Sequence, residues 1–166
     1  MSDSATGSEQ FREAMSRLGA AVNIITTKGA EGDSGFTASA VCSVTDAPPT
    51  LLVCMNRNSS QHDIFKAAGV LCVNVLGHDD LELSPVFAGA GKLPMAERFA
   101  RASWRRLATG APVLETAAAA LDCKIDKIVE VGTHSVMFCL VQAIHLGPVT
   151  SGLIYHGRAY HKVAGS

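Results

Sequence analysis

The chain has 166 residues, 48% of them hydrophobic and 17% charged, and a net charge of −1 with its six histidines neutral. That length suits one domain with one core, and the charge balance excludes broad attraction to nucleic acid or an anionic membrane, so neither is expected as a partner. "MSDSATGSEQ" lacks the basic and apolar segments of a secretory signal, and the apolar runs "TLLVCM" and "VMFCLV" fall far short of the roughly 20 residues that span a bilayer. A cytoplasmic protein is therefore expected, and the shortage of charge points to surface buried in an oligomer.

Residues 1–7 read as a disordered tail and residues 8–163 as a single domain. Phe11, Ala14, Met15 and Leu18 recur at helical spacing ahead of Gly19, a natural stop. "AVNIITT" predicts a strand, "KGAEGDSG" a glycine-rich hairpin loop, and "FTASAVCSVT" its antiparallel partner. "DAPP" ends that partner because proline cannot donate to a ladder, and "TLLVCMN" starts the next strand. "NSSQHDIFKAAG" predicts a helix with a serine N-cap, Gly69 as its stop, and Ile64, Phe65 and Ala68 on the buried face.

"VLCVNVL" follows as a buried strand, and the stretch from Gly77 to Ala102 mixes short helical patterns with a "GAGKLP" loop. From Ala117 strands return as "AAALDCKIDKIVEV", a turn at "GTH", "SVMFCLVQAIHL", a Gly-Pro break and "GLIYHGRAYHKV". Helices do not alternate with strands, which argues against a parallel α/β sheet. A mainly β fold is expected: a closed antiparallel barrel of roughly seven strands with a few peripheral helices, or alternatively an open two-layer α+β sheet.

The five cysteines, Cys42, Cys54, Cys72, Cys123 and Cys139, have no CxxC spacing and read as reduced core thiols. No GxSxG, P-loop, HExxH or GxGxxG is present, and His134, His145, His156 and His161 lack metal-ligand spacing, so no metal is expected. Two segments rich in small hydroxyl residues stand out instead: "TASAVCS" at 37–43 and "NRNSSQ" at 56–61. Thr37, Ser39 and Ser43 with their neighbouring alanines make a strand too thin to fill a pleated surface, which leaves the backbone open to a flat ring. Ser59 and Ser60, placed where a helix should begin, suit an anion. A phosphorylated, flat aromatic cofactor meets both demands. Taken singly, each feature has a plainer reading: a helix cap for the serines, close packing for the small-residue strand, a solvated charge for Arg98, a turn residue for His134, and a wet strand face for Tyr155, Arg158, Tyr160 and His161.

The motifs "FREAMSRLGAAVNIITT", "GFTASAVCSVTDAPPTLLVCMNRNSS", "LCVNVL", "AERF", "VGTH" and "GLIYHGRAYH" occur in the order and spacing of the short-chain flavin reductases. From about Phe11 to His161 the chain closely resembles the reductase components of two-component flavin monooxygenases, above all those serving 4-hydroxyphenylacetate hydroxylation and pyrimidine-ring degradation. The resemblance implies a split β-barrel of Greek-key type, a homodimer with each flavin near the subunit interface, and reduction of exchangeable FMN or FAD by NADH, less often NADPH. The reduced flavin then reaches a separate oxygenase by diffusion.

By the same resemblance Thr37, Ala38, Ser39, Ala40, Val41, Cys42 and Ser43 line the isoalloxazine and ribityl chain. Asn56, Asn58, Ser59 and Ser60 hold the ribityl and phosphate groups. Arg98 and Phe99 close over the phosphate or adenine side, and His134 faces the nicotinamide with Tyr155 and Arg158 nearby. Thr133 departs from the Asp or Ser common at that place in the family. Hydride passes directly between the cofactors, so no catalytic side chain is expected. Two rivals remain open: a non-catalytic split-barrel module holding flavin or haem, and an oxidase of a phosphorylated vitamin.

Overall fold

The computed structural model describes residues 7–148 and 151–165; of the expected tail, residues 1–6 lie outside them. Helix α1 (Ser8–Ser16) buries none of its residues, and its apolar stripe of Phe11 and Met15 continues to Leu18, all three exposed. Twelve strands follow: β1 (Ala20–Ala21), β2 (Asn23–Gly29), β3 (Gly32–Ala38), β4 (Val41–Asp46), β5 (Pro49–Asn56), β6 (Val70–Val75), β7 (Trp104–Arg106), β8 (Pro112–Leu114), β9 (Ala119–Val131), β10 (His134–Leu146), β11 (Ser151–His156) and β12 (Ala159–Ala164). Helix α2 (His62–Ala68) lies between β5 and β6, while α3 (Leu83–Phe87) and α4 (Met95–Phe99) occupy the irregular middle.

Seven strands form one antiparallel sheet in the order β3-β2-β6-β9-β10-β5-β4, and β1-β11-β12 and β7-β8 make two smaller sheets. The fold is mainly β, as the sequence predicts, but the large sheet is not closed. Its edges, β3 and β4, are consecutive in the chain, separated only by Ser39 and Ala40, and they do not pair. "FTASAVCSVT" is thus two strands at opposite edges rather than one. The expected glycine-rich loop also shrinks: β2 pairs with β3 as far as Gly29 and Gly32, leaving a two-residue turn of Ala30 and Glu31.

The curled sheet encloses Ile25, Leu51, Val53, Met55, Leu71, Val73, Cys123, Met137 and Cys139, with Phe65 of α2 packed among them. A second cluster on the other face joins Ile24, Cys72 and Ala120 to Phe87, Val113 and Leu114. Strands β2 and β6 therefore have apolar material on both faces, which is why "NIITT" and "VLCVNV" run nearly continuously buried instead of alternating.

Between these layers Asn74 is fully buried. Its amide nitrogen donates to the Ile24 carbonyl at 3.0 Å and the Thr26 hydroxyl at 3.2 Å, and its oxygen accepts the Leu114 N–H at 2.8 Å. Asn74→Ala leaves the buried Leu114 N–H without its partner. We expect a loss of about 2–3 kcal/mol and a thermal midpoint lower by roughly 5–10 °C, read by calorimetry; an unchanged midpoint would show that the Asn74 bonds contribute nothing net.

Candidate functional site

At the corner between β3 and β4 the exposed Ser39 and Ala40 leave the ladder. The Ser39 carbonyl accepts the Val41 N–H at 2.9 Å and the Ala40 carbonyl accepts the Cys54 N–H at 3.0 Å. Their own N–H groups donate to no backbone carbonyl among the described residues. Two backbone donors are thus left without a backbone partner on an exposed stretch with no bulky side chain. Just before the corner, the Thr37 hydroxyl donates to the Ser84 carbonyl at 2.6 Å, and the Ser84 hydroxyl lies 2.8 Å from that of Tyr160. Tyr160 pairs with Tyr155 across β11 and β12, their rings 5.2 Å apart.

The other end of the corner faces different partners. Across β4, β5 and β10 the register aligns Val41 with Val53 and Met137, and Cys42 with Leu52 and Phe138. Val53 and Met137 are buried inside the curled sheet, so alternation puts Cys42, Leu52 and Phe138 on the outer face, followed by Cys54 with Val136 and Asn56 with His134. His134 stands directly opposite Asn56. The corner, Asn56 and His134 therefore share one end of the outer face, about 10 Å across two strand spacings.

The loop after Asn56 is fastened to the turn before His134. The Arg57 N–H donates to the Thr133 carbonyl at 2.9 Å, and its guanidinium to Glu130 at 3.0 Å and to the Gly132 carbonyl. The Asn56 carboxamide oxygen accepts the Asn58 N–H at 2.9 Å, and the Thr133 hydroxyl lies 2.8 Å from Nδ1 of His134.

The serines do not cap α2 as expected. The helix begins at His62 with Gln61 as its N-cap and no side-chain cap bond. Ser59 instead stabilises the turn before it, accepting the Gln61 N–H at 3.3 Å. Gly69 does end the helix, in the left-handed region at φ 68°. The buried residues of α2 are His62 and Phe65, while Ile64 is exposed and lines a cleft of about 810 Å³ with Glu31, Ser60, Gln61, Met95 and Arg98. Nε of Arg98 donates to the Leu93 carbonyl at 2.8 Å; its terminal nitrogens make no hydrogen bond among the described residues. Phe99 points away, its ring 5.2 Å from Phe87 and 4.9 Å from Trp104.

The structure thus brings His134 to Asn56, Asn58 and the corner, and Ser60 to Arg98. Tyr155 reaches the Thr37 end of the wall through Tyr160 and Ser84, whereas the Arg158 guanidinium is held against α1, 2.8 Å from Glu13, whose carboxyl it keeps below the usual range. The sequence does not single out His62, which lies off the expected Ile64, Phe65 and Ala68 face, and no local signal marks its partner Ser135. Among the described residues no group of three His, Cys, Asp or Glu side chains is placed to hold a metal.

The flavin reductase like domain matches residues 15–164. The chain belongs to this family. It is 57% identical over 154 residues to the FMN reductase (NADH) RutF of Variovorax paradoxus S110, covering 93% of this chain and 84% of that one. It is 55% identical over 156 residues to RutF of Cronobacter sakazakii, covering 94% and 93%. Among solved structures, a candidate flavin reductase of Haemophilus somnus 129PT superposes with a TM-score of 0.91 at 46% identity, covering 95% of this chain and 99% of that one.

One sequence expectation about the thiols needs correcting. All five cysteines are free, and Cys72, Cys123 and Cys139 are buried, but Cys42 is exposed and Cys54 half-buried. The strand parity resets at the corner, which turns Cys42 outward. Burial pushes the thiols of Cys72 and Cys123 up, and that of Cys139 up to about 12. The thiolate is the nucleophile, so at pH 8 a disulfide reagent should label Cys72, Cys123 and Cys139 only after denaturation. Rapid labelling of those three in the native protein would contradict the packing.

Proposed function

We propose that this chain is a single-domain NADH:flavin oxidoreductase over residues 8–163 that reduces exchangeable FMN and supplies it to a separate oxygenase. NADH-dependent FMN reduction is the activity named for the 57% and 55% identical relatives, and the activity this chain is expected to share. The observation that carries the reading is the exposed Ser39–Ala40 corner, whose free N–H donors stand at the same end of the outer face as Asn56 and His134.

The residues present fit a flavin phosphate. Thr37, Ala38, Ser39, Ala40, Val41, Cys42 and Ser43 offer a thin wall for the ring. Asn56, Asn58, Ser59 and Ser60 offer polar groups for the ribityl chain and phosphate, and the terminal nitrogens of Arg98 offer the one positive charge in a cleft also lined by Glu31, Asp33 and Asp63. Phe99 acts through packing, holding α4 against Phe87 and Trp104. His134 orients the nicotinamide, with Tyr155 at the far end of the wall and Arg158 held against α1. Bound flavin supplies the two-electron acceptor. The chain's residues align two rings and exclude water between them, and none is required to accept a proton.

The reading includes a homodimer. Leu52, Cys54, Val136, Phe138 and Leu140 pack into neither core cluster, and Ile144 and Leu146 extend this outer face with 56% and 77% exposure. An apolar sheet face of this kind is buried by a second subunit, and the candidate site lies at its end. The oxygenase partner, a cytoplasmic location and diffusive flavin transfer complete the proposal; FAD and NADPH are the alternative cofactors. No helix among the described residues is long and apolar enough to cross a membrane.

The deciding experiment follows NADH absorbance with and without FMN or FAD. Oxidation should accelerate on adding FMN, and no acceleration with either flavin would overturn the reading in favour of a binding module. Replacing Ser59 and Ser60 together by alanine should weaken FMN at least roughly tenfold, since each hydroxyl bonds a charged group, and leave riboflavin, which lacks the phosphate, nearly unchanged. Parallel weakening of riboflavin would move the serines to the ring site.

A further inference from the structure

His62 and Ser135 stand outside every residue assigned above, yet they join the two halves of the site from within. His62 opens α2 at 5% exposure, and Ser135 is fully buried. Nε2 of His62 lies 2.9 Å from the Ser135 hydroxyl, and Nδ1 lies 3.3 Å from the exposed Asp63 carboxylate. A carboxylate only accepts, so Nδ1–H donates to Asp63 and Nε2 accepts the Ser135 hydroxyl proton. These are the residue types of a hydrolase triad, but no substrate reaches a serine oxygen fully buried beneath the curled sheet, which excludes a nucleophilic role.

Position gives the pair its meaning. Ser135 follows His134 in β10, so its side chain points inward where that of His134 points outward. His62 closes the loop that begins at Asn56. Arg57 ties that loop to the His134 turn on the outside, and His62 ties it on the inside. Of the two ties, the inner one is shielded from water and therefore more costly to break. We propose that His62 is a positioning residue for hydride transfer: through Ser135 it fixes His134 against the Asn56–Ser60 loop, so that the nicotinamide and phosphate contacts belong to one rigid unit. This rests on the reading of His134 as the nicotinamide contact.

The test compares Ser135→Ala, His62→Leu, His62→Gln and His134→Ala, with NADH kinetics at saturating FMN, FMN affinity by fluorescence quenching, and thermal melting. Ser135→Ala and His62→Leu should slow hydride transfer or raise KM for NADH roughly tenfold, the effect of one buried hydrogen bond left unmade, with FMN affinity within about twofold. His62→Gln retains an amide oxygen that can accept from Ser135 and should restore most of the loss. In the His134→Ala background the Ser135→Ala loss should vanish, because both act through the same imidazole. If Ser135→Ala does not fold, the Leu and Gln variants of His62 carry the same comparison. Unchanged NADH kinetics in Ser135→Ala and His62→Leu while His134→Ala is impaired would overturn the proposal, as would equal losses of FMN affinity and NADH kinetics. An unaffected His134→Ala would instead overturn the reading of His134 itself.

Discussion

Two residues carry the chain from one edge of the large sheet to the other. Ser39 and Ala40 are all that separate β3 from β4, so the ends of those strands lie within about 11 Å, three Cα steps. A sheet whose first and last strands are so close has to curl. It does not close by pairing there, although β2 and β3 do pair across an equally short link, Ala30 and Glu31, so Ser39 and Ala40 act as a corner between two edges and not as a hairpin turn. The N–H groups left over at the corner are therefore a consequence of topology. The same constraint explains the thin sequence: a Cβ on Gly35 would meet the Phe87 ring at 3.1 Å, and the Thr37 hydroxyl is already committed to Ser84. On one side of β3 packing allows no bulk, and beyond its end the corner offers none.

Much of the fold was legible because strand and hairpin signals are local. The pairing of β2 with β3 and of β9 with β10 could be read from turn residues and apolar patterning. The break at Ser39–Ala40 could not, since neither residue is a proline or glycine and both fit an extended backbone. That single miss also reversed the facing of Cys42. Strands β7 and β8, at three residues each, are too short to show a period. The start of α2 slipped by two residues because serine is a strong N-cap, while here the Ser59–Gln61 turn comes first.

The candidate site was legible as motifs but not as an arrangement. Asn56 and His134 are far apart in sequence, and only the β5–β10 register sets them opposite each other. His62 and Ser135 meet through the same pairing, one residue further along β10. Neither contact leaves a trace in local composition, and only the whole-chain resemblance implies that the Asn56 and His134 segments serve one site. Arg98 and Phe99, read together from "AERF", separate in the fold because adjacent residues on a helix point about 100° apart.

The split between rigid and open parts suits the proposed exchange of flavin. Asn74 and Asp122 anchor the β8 region to the sheet through bonds shielded from solvent, which keeps stability out of the binding surface. The surface itself offers neutral donors and little positive charge. The cleft beside Ser60 is lined by one cation, Arg98, and three carboxylates, Glu31, Asp33 and Asp63. A deeper or more basic pocket would bind oxidised and reduced flavin more tightly alike, and uniform binding of that kind slows release without helping the hydride step. On the proposed reading, a shallow wall of backbone donors would orient the ring and still let the product leave.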